Sequence, residues 1–212
     1  MKDLDPSLVP NDLESFAFSH IDIEEQVDGH ALRFLDIRDK KVEWGMEIPI
    51  FVYAFYDSLS SGNIPSQQEF WNHYQRFYEG KFRFEDLQDH QLKGLKARVF
   101  RTYPSLVRDI HFAKFLEAEL AEVGVIYNQR LDVEAGIDLL LVTRKWNIAI
   151  NLYTHTMRAK FGRLRKAGRH GRYANVIYLE LPVAFSGCRK VGDFFLYGER
   201  EKKQIEQAIN QL

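Results

Sequence analysis

Apolar positions recur along this chain at two different periods. In the first hundred residues they come three to four apart. Residues 48–59 (IPIFVYAFYDSL) read as a helix with Pro49 in its first turn and Ser-Ser-Gly at its end. Residues 66–78 repeat the pattern with Phe70, Trp71, Tyr74, Phe77 and Tyr78, and Ser66 with Glu69 has the spacing of a capping box. A third helix is predicted over 104–123, with Pro104 as its first residue and Gly124 just beyond its end. The period then shortens to two. Runs at 125–127, 137–142 and 147–153 read as strands joined by short connections, and 175–181 reads as a fourth. Between the third and fourth strands a basic segment, 155–167, has helical character; an apolar run at 193–197 and a polar helix at 199–211 close the chain.

Composition removes several classes. The 212 residues are 45% hydrophobic and include 16 Phe and 10 Tyr, which excludes a chain that is disordered throughout. A single cysteine, Cys188, excludes an internal disulfide framework and a multi-thiolate zinc site. No apolar run approaches the roughly 20 residues that cross a bilayer, and the acidic start MKDLDPSLVPNDLES has no signal-peptide core, so a cytoplasmic protein is expected. The net charge of −1 conceals a strong asymmetry. From Leu139 to Leu179 there is no Asp or Glu, and nine basic residues fall in that span; residues 1–30 carry eight acids against one Lys. A local cationic surface of this kind suits a polyanion. The competing account is a solvated helix face whose counter-charges come from distant acids.

The order helix, three strands, helix, strand from Pro104 onward resembles the core of the PD-(D/E)XK nuclease superfamily over residues 104–181, about half the chain. Gly136-Ile137-Asp138 resembles the strand-borne metal-binding Asp of that family. The next strand, where the family carries Glu-X-Lys, reads Asn151-Leu152-Tyr153. The resemblance implies an α/β fold with a mostly helical N-terminal lobe (1–100) and a restriction-endonuclease-like α-β-β-β-α-β core with a C-terminal helix (101–212). It implies a site of Glu117, Asp138, Asn151 and Tyr153, with Asp138 and Glu117 as ligands of Mg²⁺ in an active enzyme and Glu119 as the alternative helix acid. Alternation alone puts Asp138, Leu140 and Val142 on one sheet face, and Ala149, Asn151 and Tyr153 on one face of the next strand. Asn brings no negative charge to a metal, and a phenol does not supply an ammonium's charge. The expectation is therefore a catalytically degenerate domain. The alternative is a metal-dependent endonuclease with rearranged residues, Arg158 or Lys160 having taken the place of the missing Lys.

The segment 154–173 points to the partner. On a helix, Arg158, Arg165 and Arg169 would share a stripe with Gly162, and Lys160, Arg163, Lys166 and Arg172 add further cations; phosphate contacts from such a surface are sequence-independent and salt-sensitive. DNA or RNA is the expected partner, in transposition, defence or repair. A protein-interaction scaffold, a homo-oligomer contact and an Arg cluster that clasps a phosphorylated small molecule are the other accounts. His111 and His155 lack metal-ligand neighbours and read as structural; Arg108-Asp109 is either a local ion pair or site-facing; Arg189 and Lys190 should lower the Cys188 thiol pKa, although nothing else marks a nucleophile there.

Overall fold

The computed structural model describes residues 2–154 and 172–212, and it is a mixed α/β structure. Local chemistry explains where the first helices begin. Ser19 caps α1 (His20–Asp28) and Ser66 caps α3 (Gln67–Phe77), each in a reciprocal box with the acid three residues on, Asp22 and Glu69. Between them α2 (Phe51–Ser58) buries Ala54, Phe55 and Tyr56.

The long helix α4 (Asp89–Glu119) corrects the expectation that a helix starts at Pro104, because Pro104 lies in its interior. An interior proline removes the N–H that would bond the carbonyl four residues earlier, here that of Phe100, and costs roughly 3 kcal/mol if nothing compensates. The buried Gln67 compensates. Its Nε2 donates to Phe100 O at 2.9 Å, while its Oε1 accepts from Arg33 N at 2.7 Å. The helix thus continues through the proline, and the boundary expected at residue 100 falls inside one element. A single core cluster joins Phe55, Phe70, Tyr103 and Ile110 to Leu139, Ile150 and Leu181 across that boundary.

A four-stranded sheet follows: β1 (Gly124–Ile126), β2 (Leu139–Val142), β3 (Asn147–Thr154) and β4 (Val176–Val183) lie side by side in that order. The first three are antiparallel, and β4 runs parallel to β3. Leu139, Leu141, Ile148 and Ile150 face the main core with α4. Leu140, Ala149 and Val176 face a smaller cluster with Leu4, Leu131 and Ile137. Residues 2–12 strap the sheet. Leu4 exchanges both of its backbone bonds with the Asn175 amide, and Asn11 and Asp12 bond the end of β1 at Val125 and Tyr127. The acidic N-terminal segment is therefore bonded within its own chain.

The expected strand at 193–197 is β6 (Phe194–Leu196), and it pairs with β5 (Arg189–Val191). In β5 two cations precede a single apolar residue, so no alternation announces it. The tip of this hairpin packs on α1. A Cβ on Gly192, at φ +54, would sit 2.9 Å from Asp28 O, and Asp193 accepts from Leu32 N at 2.9 Å. The closing helix α5 (Glu199–Asn210) buries Glu201 and Ile205.

Candidate functional site

The pairing Leu139↔Ile150 brings Asp138, one residue before β2, opposite Asn151, and the parallel register brings Asn151 beside Glu180. Because side chains alternate, Asp138, Asn151 and Glu180 make a row across three strands on the face away from the main core. Tyr153 lies on the same face, paired with Pro182. Asp138 occupies the point where β2 ends. Its Oδ2 accepts from Leu152 N at 2.7 Å, so the carboxylate takes the donor a further ladder residue would have used. Asn151 Nδ2 donates to Glu180 Oε1 at 3.2 Å, while Asn151 Oδ1 is buried with no donor among the described residues.

Of the residues expected from sequence, Asp138, Asn151 and Tyr153 are thus brought together, and Glu117 is not. Glu117 is exposed on α4 and held by Lys114 at 3.1 Å, which also donates to Leu13 O; the neighbouring acid Glu119 pairs with Lys202. Burial pushes the Tyr127 phenol well above its ordinary pKa, and the negative charges of Asp109, Asp132 and Asp138 reinforce the shift. Tyr56 stacks on that ring at 5.0 Å. Glu180 is the residue of this row that sequence reasoning missed. Glu180 had one signal: it is the acid that ends the long acid-free span.

The donor set fits a hard cation in kind. Asp138 and Glu180 carry carboxylates, and the undonated Oδ1 of Asn151 between them is an amide carbonyl; Mg²⁺ takes oxygen ligands of both sorts. No group of three His, Cys, Asp or Glu able to hold a metal occurs among the described residues.

Of the expected phosphate-binding cations, Arg158, Lys160, Arg163, Arg165, Lys166 and Arg169 lie outside the described residues, as does His155. Arg172 is exposed, with its guanidinium 4.9 Å over the Tyr178 ring. Tyr178 alternates onto the face that carries Asn151 and Glu180, so the last cation of the basic span lies over the same face.

Other candidates resolve into structural roles. Arg108 is a fastener: its Nε donates to Phe195 O at 2.6 Å, and its guanidinium sits 4.8 Å over Phe185 and 5.3 Å over Tyr197. His111 is buried, and with the proton on Nε2 it donates to Glu24 Oε1 at 3.1 Å. The expectation for Cys188 is reversed, since burial and then Glu201 push the thiol pKa up, outweighing Arg108 and Arg200. Compared with known proteins, the chain matches no family model, no curated protein sequence and no solved structure.

Proposed function

We propose that this chain is a nucleic-acid-binding protein built on a restriction-endonuclease-like core, with a site that binds rather than cuts. The observation that carries the reading is the register of β2, β3 and β4. It aligns Asp138, Asn151 and Glu180 on the face over which Arg172, the end of the basic span, also lies. The element order α4–β1–β2–β3–β4, with a long basic connection between the parallel strands, agrees with the resembled core and supports the fold assignment. The basic span 155–172 supplies the phosphate contacts, and no counter-acid interrupts it.

The balance against cutting is one of charge. Asp138, Asn151 and Glu180 would hold Mg²⁺, and a bound ion there would supply Lewis-acid polarisation of a phosphodiester oxygen. This chain's own residues bring two carboxylates and a neutral amide, with a phenol at Tyr153 where the resembled motif has an ammonium. A hard, well-hydrated ion is then held less firmly, and a stabiliser of developing negative charge is missing.

The test is a salt series on duplex and single-stranded DNA and RNA, repeated with Mg²⁺ or Mn²⁺ added. Binding that weakens steeply as salt rises, with the nucleic acid left intact, is the expected result. No binding at low salt would contradict the reading and favour a protein-interaction scaffold. Metal-dependent cleavage that disappears in Asp138→Ala would replace the binding role with an enzymatic one.

A further inference from the structure

We infer that the tip of the β2–β3 hairpin is a second contact site, a groove in which an unpaired base of a single-stranded nucleic acid stacks on Trp146. This rests on the nucleic-acid reading above and deepens it by naming strandedness and a place.

The hairpin turns through Thr143–Trp146, and one hydroxyl stiffens it. Thr143 Oγ1 accepts from Trp146 N at 2.9 Å and from Lys145 N at 3.3 Å, and Thr143 N donates to Trp146 O at 2.9 Å. A rigid tip holds out a large aromatic: Trp146 is 42% exposed. Its neighbour across the sheet is the start of β4, and between the two lies a groove of about 440 Å³ lined by 143–147 and 174–177. That volume is within the range of small-ligand sites.

The chemistry of the rim selects the occupant. No lining residue is Asp or Glu, and Arg144 and Lys145 directly precede the indole. Arg144 reaches Glu122 at 3.1 Å, but both side chains are exposed, so the pair is weak, screened by salt and exchangeable for phosphate. Arg172 stands two residues before the groove, and the backbone bond from Ala174 N to Lys2 O brings the N-terminal Lys to the same edge. An apolar peptide would leave these cations unpaired. A single strand satisfies both halves of the site, with a base face on the indole and phosphates on the rim. In a duplex the bases are already stacked on one another and present no free face.

Tryptophan fluorescence reads the contact directly. The full chain is titrated at low salt with an oligonucleotide of about 12 bases, single-stranded or annealed, and affinity is followed separately by gel shift. Quenching by the single strand is expected, retained in Trp44→Phe and lost in Trp146→Phe, which keeps a stacking ring and so keeps most of the affinity. Trp146→Ala should weaken single-strand binding about ten-fold and leave duplex binding unchanged. Wild-type affinity for single strands in Trp146→Ala would overturn the inference while leaving the nucleic-acid reading in place. Failure of the wild type to bind either form would remove both.

Discussion

His111 shows how one buried side chain can give the whole fold a pH dependence. Burial pulls its pKa down to about 4, more strongly than the bond to Glu24 raises it; the His20 ring stands 6.0 Å away, and Arg189 holds the other Glu24 oxygen at 2.6 Å. In the unfolded chain the imidazole titrates near 6.5. The unfolded state therefore takes up a proton that the folded state refuses. The stability this imidazole contributes is complete above about pH 6.5 and is lost as the pH falls toward 4, in total about 3 kcal/mol. Melting temperature should drop over that window, and His111→Gln should flatten the drop. An unchanged slope in the variant would show that other groups govern the acid response.

At the scale of an element, α4 depends on a side chain from α3. Gln67→Leu leaves the Phe100 carbonyl and the Arg33 amide without their partner, and should cost about 1–3 kcal/mol. Pro104→Ala restores an N–H that can bond Phe100 O, so Gln67→Leu should cost about 1 kcal/mol less in that background. Urea unfolding of the four-member cycle measures the coupling, and strictly additive effects would contradict the account. The same pair explains what could be read from the sequence. The capping box at Ser66 is local, and so is the alternation in β2 and β3, which put Asp138, Asn151 and Tyr153 on their shared face. Pro104 resembles a helix start because the donor that rescues it comes from a residue 33 positions away from Phe100. Glu180 was not legible for a related reason: a parallel register is decided across a long connection, and nothing local pairs it with Asn151. Glu117 is an exposed acid of α4 paired with Lys114, a contact that the helical pattern alone does not announce.

At the scale of the molecule, the acidic N-terminal segment straps its own sheet at Leu4, Asn11 and Asp12, and Arg172, the last cation of the basic span, lies over the face that carries Asn151 and Glu180. The central claim is that cations of this span neutralise phosphates. Arg165→Ala combined with Arg169→Ala tests it, because the pair removes two of the seven cations in 155–172 and nothing else from the chain. The measurement is the slope of log affinity against log salt for duplex DNA, taken on the wild type and the double variant with equal melting temperatures as the control. The account predicts weaker binding and a slope shallower by roughly two units. Equal affinity and an equal slope in the two proteins would contradict it.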